Sequence, residues 1–415
     1  MVCSESRSNL ASHGRGKAVR LARGIPVLLL AAALGGGSRE PLYSPAIAQD
    51  LRQPRLPTAP ASGEMGFVVY HFVPSVIQGQ DACPAGAARK TKDIFLSTLP
   101  PEEAQRLQLK ENEAEFKRRF FASVTRADGA DICSQYSSFP DRPLLRQVQS
   151  QFAWGLNLDD DVADGSRNPE GCAHQNFKSP DGLAGIDNQA YRALGCKLEW
   201  RGVDGKAGDI VRGLDGFSAS GEFTQVILLR GVDSLENDDD VEVIYGNTPD
   251  RPVLDSTGKF IWNASFTISN KPPRERNVLH GRIVNGVLTT EPTLIKLTQT
   301  WGQRAQTDLR GIRSRWTLNK GRLRLAFQPD GTLKGIVGGY QPLAELVTSP
   351  SLGGLGSVWD AGIDCAGEYN TLKKLADGNR DPRTGQCTTI SSGLELAAVP
   401  AFVNDVVDSA KLARQ

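Results

Sequence analysis

The feature that most constrains the fold is a set of short alternating segments joined by tight turns between residues 312 and 337. From Ile312 to Leu318 and again from Leu323 to Phe327, most second residues are apolar and face away from charged or polar neighbours. The turn sequences Asn319-Lys320-Gly321 and Pro329-Asp330-Gly331 follow these two segments. A two-residue period is that of a strand buried on one face, and tight turns join antiparallel neighbours. The pattern therefore predicts a three-stranded meander that needs a second layer to cover its apolar face.

Other segments extend this β-rich pattern on the N-terminal side of the meander. Strands are predicted at Gly66–Phe72, Phe223–Leu229, Val241–Tyr245, Phe260–Ile268, Val278–Val284 and Leu294–Thr298. The expected fold class is mostly β with α/loop additions, built on a disulfide-stapled antiparallel β-sandwich (jelly-roll-like) core. A closed barrel is the alternative. Helices are predicted over residues 98–122, 368–376 and 403–412.

The chain also divides by composition. We predict a signal peptide over residues 1–48, a flexible Pro-rich tail over 49–64 and an α/loop region with an acidic, Cys-bounded loop over 65–198. A β-sandwich domain follows over 199–340, and a disulfide-stapled extension occupies 341–415.

Export from the cytoplasm is predicted by the N-terminal residues. Arg15, Lys17, Arg20 and Arg23 precede the apolar run Gly24–Leu34. That run is shorter than the ~20 residues that span a bilayer, and a basic flank with a short apolar core is typical of a secretory signal. Cleavage is expected after Ala48 or, alternatively, nearer the apolar run. Retention of the segment as an uncleaved anchor is the other alternative. No later segment is apolar for long enough to cross a membrane, so we expect a periplasmic or extracellular protein.

Cysteine usage agrees with an oxidising compartment. Six of the seven cysteines follow the predicted signal, and an even number there predicts three disulfides. Six cysteines allow 15 pairings, and we expect sequence neighbours to pair. The expected bridges are Cys83–Cys133, Cys172–Cys196 and Cys365–Cys387.

The charge balance excludes one class of partner. The chain has 48 Lys and Arg residues against 47 Asp and Glu residues. A nucleic-acid-binding protein would be markedly basic, so no nucleic acid is expected as a partner.

The strongest candidate site is an acidic, glycine-rich loop before Cys196. Carboxylate and amide oxygens cluster there, and Ca²⁺ takes six to eight oxygen ligands from a chain that bends sharply. Glycines such as Gly165 and Gly185 permit those bends. The predicted Ca²⁺ ligands are Asp159, Asp161, Asp164, Asn168, Asp181, Asp187 and Asn188. His174 is a further candidate ligand, and an acidic loop held by a disulfide and Asx turns is the alternative.

Two resemblances concern this loop. It locally resembles the aspartate-rich, Cys-bounded calcium repeats of thrombospondin-like proteins, without their regular register, and this resemblance implies bound calcium. The pattern D-G-x-x-G-I-D-N over Asp181–Asn188, followed by Leu194-Gly195-Cys196, is similar to a segment of uncharacterised exported bacterial proteins. The stretch from Ala376 to Thr388 looks like part of the same group. That resemblance implies export and carries no activity.

A basic patch is predicted on the meander. Arg313, Arg315, Arg322 and Arg324 share the outward parity of their strands. Guanidinium groups bind carboxylate, phosphate or sulfate in pairs of hydrogen bonds, so an anionic glycan or an envelope protein is a candidate partner. The alternative is that these arginines pair with nearby acids or cover apolar surface.

The sequence contains no HExxH metalloprotease motif, GxSxG elbow or Walker loop. We therefore expect a calcium-stabilised binding or structural module for a glycan or protein partner. The alternative is a hydrolase of cell-envelope or extracellular polymer that uses a carboxylate pair, whose spacing is spatial rather than sequential.

Overall fold

The computed structural model describes residues 56–77, 82–203, 206–270, 274–300, 312–351 and 354–406. The predicted signal peptide and residues 49–55 of the predicted Pro-rich tail lie outside these residues. The strands in the described part are β1 (Met65–Pro74), β2 (Gln225–Arg230), β3 (Asn237–Asn247), β4 (Ser265–Ser269), β5 (Arg276–Val284), β6 (Val287–Thr290), β7 (Thr293–Thr300), β8 (Ile312–Phe327), β9 (Leu333–Pro342), β10 (Gly378–Arg380) and β11 (Cys387–Val406).

The described helices lie mainly before β2 and between β9 and β10. They are α1 (Thr91–Leu96), α2 (Pro101–Leu107), α3 (Glu113–Val124), α4 (Gln189–Leu194), α5 (Leu198–Arg201), α6 (Asp209–Ser220), α7 (Leu343–Ser351), α8 (Gly354–Gly356) and α9 (Cys365–Leu375). Short 3₁₀ turns occupy Lys110–Asn112 and Tyr136–Ser138, and a π-helical turn occupies Ser357–Ala361. None of the helices described is long and apolar enough to cross a bilayer.

The large sheet closes on itself. Along the row β1-β2-β3-β5-β6-β8-β9-β11 each strand pairs antiparallel with the next, and β11 also pairs antiparallel with β1. β10 pairs antiparallel with the start of β11, and β4 pairs parallel with the end of β11. The mostly β prediction is confirmed. The predicted sandwich is not confirmed, because these pairings form a closed barrel, which was the alternative.

Strand β8 is one continuous strand where the sequence predicted two strands and a turn. The chain does not turn at Asn319-Lys320-Gly321 but continues as one strand, so the predicted turn is wrong. A register shift between Asn319 and Arg322 absorbs the extra residues, and Lys320 takes a positive φ of 50°. On its other edge β8 pairs with β7 along its first half and with β6 along its second half. Pro292, which has no N–H to donate, lies between β6 and β7.

The barrel encloses the main hydrophobic core. Its buried side chains come from every strand of the closed row, and Phe72, Tyr245 and Leu318 are all fully buried. Val68 and Val226 instead pack outward against Phe266 of β4 in a second, smaller cluster. Strands from all three predicted regions build the barrel, since β1 precedes residue 199 and β11 follows residue 340. The barrel therefore depends on contacts that are distant along the chain.

The disulfides also connect distant segments. The bridges are Cys83–Cys196, Cys133–Cys365 and Cys172–Cys387, separated by 113, 232 and 215 residues. Three disulfides are confirmed, but the predicted pairing of sequence neighbours is wrong. The reason is that the segment before residue 200 packs against α9 and the start of β11 rather than forming a closed unit.

The helix predictions succeed in part. The predicted helix over 98–122 is present as α2 and α3, with a 3₁₀ turn at Lys110–Asn112 between them. The predicted helix over 368–376 corresponds to α9. The one predicted over 403–412 is wrong at its start, because β11 continues to Val406 and pairs there with β4. The remainder of that prediction lies outside the described residues.

Candidate functional site

A cavity of about 430 Å³ lies at one end of the barrel. Strand residues at that end, such as Pro74, Gln299 and Gln341, form its floor, and residues of α4, α5, α6, α7 and α9 surround it. The antiparallel pairing of Pro74 with Leu394 places β1 and β11 together at this end. Mouths of β-barrels are frequent ligand sites, and ligand cavities usually measure about 300–1,000 Å³.

The cavity wall is largely apolar and aromatic. Trp200 and Leu214 are buried helix residues that line it. Trp316 of β8 also lines it, stacks on Phe223 with ring centroids 5.6 Å apart and meets Phe72 edge-on at 5.8 Å. These ring contacts hold the Trp316 indole in place, so the wall is rigid there.

Two buried polar atoms of cavity-lining residues have no hydrogen-bond partner within the described part of the chain. They are Nε1 of Trp316 and Oγ of Ser392, and Ser392 is only 2% exposed. An unpaired buried polar group costs about 1–3 kcal/mol, so such groups are rare in a finished core. Both residues line the cavity, but these two atoms are themselves buried and do not face its open space.

Charged groups complete the wall. Lys197 and Glu368 form a buried ion pair, with side chains 8% and 2% exposed. Glu345 accepts hydrogen bonds of 2.7 Å from both the backbone N–H and the hydroxyl of Thr317. Burial raises the pKa of both Glu345 and Glu368. Arg315 is exposed and also lines the cavity, so it marks the side that faces solvent.

None of these cavity residues forms a contiguous motif, and among the lining residues the sequence identified only Asn188 and Arg315 as site residues. They come from seven or more separate elements. The one sequence signal was indirect, since Trp316 follows the apolar parity of β8.

The acidic loop is well ordered by its own side chains. Asp159, Asp161 and Asp164 each accept a hydrogen bond from the backbone two residues later, and Asn168 does the same through Glu170. These are Asx turns, so the alternative explanation from the sequence describes much of this segment. The path of the loop is therefore held by carboxylates that accept hydrogen bonds from nearby backbone N–H groups.

The other predicted calcium ligands also have structural partners. Asp181 bonds to Ser179 and accepts a hydrogen bond of 3.0 Å from Nη1 of Arg324. Asn188 is the N-cap of α4, where its side-chain oxygen accepts from the N–H of Tyr191 at 3.1 Å.

Of the seven predicted ligands, the structure brings two together around an imidazole. Asp159, His174 and Asp187 offer atoms that all lie within 4.8 Å of one another. Burial lowers the pKa of His174, but its hydrogen bond to Asp187 and the nearby charge of Asp377 outweigh this and raise the pKa to about 9. Asp377, a residue that the sequence analysis did not select as a ligand, lies beside this group, and burial raises its pKa to about 7.

The predicted basic patch is divided by the structure. Nη1 of Arg322 donates to the backbone oxygen of Asn157 at 2.9 Å and contacts Asp160 at 3.2 Å. With the Arg324–Asp181 pair, this contact anchors the acidic loop to β8. The side chain of Arg313 lies outside the described residues. The alternative in which these arginines pair with nearby acids therefore holds for Arg322 and Arg324.

The chain was compared with protein-family models, with curated proteins and with solved structures, and none matches. The two resemblances stated above therefore stay predictions.

Proposed function

We propose that this is an exported binding protein that holds a small amphipathic molecule in the barrel-end cavity. The observation that carries the proposal is a cavity of about 430 Å³ at the mouth of the barrel, with an apolar and aromatic wall and with Arg315 on its exposed side. Three disulfides are consistent with export to the periplasm or the extracellular space.

The wall chemistry narrows the class of ligand. Polar contact with the ligand is limited to a few groups of the wall, such as the guanidinium of Arg315 and the carboxyl of Glu345. Rings and aliphatic side chains supply the rest of the contact, which favours an apolar body over a hydroxyl-rich sugar. The guanidinium of Arg315 on the solvent-facing side would favour a negatively charged head.

This proposal changes the partner expected from the sequence. The arginines of the predicted glycan site are now divided between the cavity and the acidic loop, because Arg322 and Arg324 have acidic partners. A small molecule with a carboxylate head uses the same guanidinium chemistry at Arg315 alone.

The test is a fluorescence titration of the exported, disulfide-intact protein with cis-parinaric acid, which has an apolar chain and a carboxylate. We expect saturable binding of one probe per chain. Trp316→Phe keeps an aromatic ring but removes the pyrrole part of the indole from the wall, so the affinity should fall about threefold to tenfold, the range of one aromatic contact. Trp262→Phe is the matched control, since Trp262 is 45% exposed and does not line the cavity.

Two results would contradict the proposal. One is the absence of saturable binding of this probe together with the absence of any small molecule in native mass spectra of the protein purified from its host. The other is equal loss of affinity in Trp316→Phe and Trp262→Phe, which would place the probe outside the cavity.

Hydrolysis is a second candidate function, favoured by one observation. Glu345 and Glu368 line the same cavity, and burial raises the pKa of both carboxyls, as expected of an acid catalyst. Glu345→Gln should then abolish release of nitrophenol from a panel of p-nitrophenyl glycosides and esters. If the unsubstituted protein releases none, this candidate is excluded for those substrate classes.

A further inference from the structure

A second polar centre, separate from the cavity, lies where the acidic loop meets β9 and β10. Nε2 of His174 is 2.9 Å from Oδ1 of Asp187 and 3.8 Å from Oδ2 of Asp377. Asp159 completes a group whose ligand atoms lie within 4.8 Å of His174 and Asp187. Ligand atoms on a tetrahedral zinc ion with bonds of about 2.0–2.1 Å lie roughly 3.3 Å apart. The separations observed within the group, from 2.9 Å to at most 4.8 Å, lie on either side of that value.

The other atom of each of these side chains is held by the backbone. Nδ1 of His174 bonds to the carbonyl oxygen of Cys172 at 2.9 Å, which leaves Nε2 facing the carboxylates. Asp187 accepts at its second oxygen from the N–H of Leu158 at 2.6 Å. Metal-ligating imidazoles and carboxylates are typically oriented by bonds of this kind.

Asp377 and Asp159 show the same arrangement. Oδ1 of Asp377 accepts from the N–H of Ser391 at 2.7 Å, and Oδ1 of Asp159 accepts from the N–H of Asp161 at 2.9 Å. In both residues the remaining oxygen, Oδ2, is buried and has no hydrogen-bond partner among the residues that the structure describes. Asp377 is only 1% exposed, so water does not satisfy that oxygen from the surface.

A third unpaired oxygen belongs to the same neighbourhood. The hydroxyl of Tyr340 in β9 is buried without a partner, and Tyr340 is 4% exposed. The charges of Asp377, Asp187 and Asp159 all act on this hydroxyl. Three buried oxygens without partners and three carboxylates around one imidazole leave a negative centre that a cation would satisfy.

We propose that a divalent transition-metal ion, with Zn²⁺ as the best fit, is bound by Asp159, His174 and Asp187, whose ligand atoms all lie within 4.8 Å of one another, and that a small shift of the neighbouring Asp377 carboxylate makes it the fourth ligand. The imidazole decides the class of ion, because Ca²⁺ takes oxygen ligands in larger numbers, whereas zinc accepts nitrogen and carboxylate ligands in sets of four. The calcium expected from the sequence is thereby replaced by a zinc-class ion on a partly different set of residues. Four protein ligands leave no open position, which is the pattern of a structural site.

The local backbone leaves space for this centre. Gly165 has a φ of 71°, and a Cβ added there would lie 2.5 Å from Cε1 of His174 and 2.9 Å from Oδ2 of Asp159. The disulfide between Cys172 and Cys387 joins the same loop to the start of β11. An ion bound here would fix the acidic loop to the barrel independently of the cavity ligand.

The experiment measures metal content and stability of the exported protein purified without chelator. We expect about one zinc per chain by inductively coupled plasma mass spectrometry. Removal of the ion with a strong chelator should lower the Tm, and Zn²⁺ should restore it where Ca²⁺ at the same concentration does not. Substitution of Co²⁺ should give the visible absorption of a tetrahedral site.

Variants separate ligation from loop folding. Asp377→Asn should lose stoichiometric zinc and the chelator-sensitive part of the Tm. Asp164→Asn is the matched control, because this exposed residue of the same loop keeps its Asx acceptor as Asn and should bind zinc normally. If Asp377→Asn does not fold, the chelator experiment on the unsubstituted protein decides.

The opposing explanation is a metal-free ion-pair network in which protonated His174 bridges Asp187 and Asp377. This explanation predicts that the purified protein holds no stoichiometric metal, that its Tm does not change with chelator or Zn²⁺, and that added Co²⁺ gives no visible spectrum. That result would overturn the proposal, and it would leave the cavity-based function untouched.

Discussion

Replacing Lys197 by Met should leave the Glu368 carboxyl alone in a nearly dry wall, because these side chains are 8% and 2% exposed. An ordinary Glu has a pKa near 4.3, and keeping it protonated at pH 7 costs about 3.7 kcal/mol. That value is a ceiling for the electrostatic loss, since a carboxylate with a larger penalty takes up a proton instead. We therefore expect Lys197→Met to lower the free energy of unfolding by about 2–4 kcal/mol at pH 7.

The sign of the pH dependence follows from the same reasoning. In this variant the folded-state pKa of Glu368 lies above its unfolded value, so the penalty is present at neutral pH. It decreases as the pH falls through the folded-state pKa and is absent near pH 4, where both states are protonated. Glu368→Gln leaves the buried Lys197 ammonium without its carboxylate partner and should also lower the free energy of unfolding at pH 7.

The assay is urea unfolding followed by circular dichroism, with disulfides intact, at several pH values. Lys197→Met/Glu368→Leu removes both charges and should recover most of the stability lost in either single variant. Lys320→Met is the control, because its pair with Glu170 is exposed and should contribute less than about 1 kcal/mol. A loss below about 1 kcal/mol for Lys197→Met, or one that does not change with pH, would refute the buried-pair reasoning.

Three further predictions concern other contacts. Peptide mapping without reduction should recover Cys133 joined to Cys365, and replacing both by Ser should cost about 2–5 kcal/mol; recovery of either cysteine with another partner would refute the topology. The hydrogen bond to Asp215 raises the pKa of His71, so its stabilisation is complete below about pH 6.5 and is lost as the pH rises through the higher folded-state pKa. The Tm should therefore fall more between pH 6 and pH 8 than in Asp215→Asn, and equal slopes would exclude the linkage. Gly165→Ala should cost at least about 1–2 kcal/mol in urea unfolding, because its φ is positive and its Cβ would meet His174; an unchanged stability would show that the loop moves aside.

The strands illustrate what local pattern can predict. Gly66–Phe72, Val241–Tyr245 and Leu294–Thr298 all lie within observed strands, because a two-residue apolar period reports which face of a segment is buried. The same pattern does not report which strand lies beside it. Closure of the barrel by β1 and β11 depends on a pairing between residues more than 300 positions apart, such as Phe67 with Pro400.

The acidic loop shows the same division at the level of a site. Asp159 and Asp187 were recognised because carboxylates near glycines are typical of ion-binding loops. Asp377 was not, since it reaches the loop only through the fold, and the Cys172–Cys387 bridge was missed for the same reason. The positions of the seven acids and amides along the sequence could not reveal which of their oxygens would accept hydrogen bonds within Asx turns.

The sequence by itself determined the mostly β composition and the presence of three disulfides, and it predicts export and an ordered acidic loop. These properties depend on residue types, their number and their spacing over a few positions. Only the tertiary structure decided the closure of the barrel, the disulfide partners, the cavity and the convergence of His174 with three carboxylates. Those features are set by contacts between segments far apart in the chain, whose free energies are sums over many side chains and leave no local periodicity.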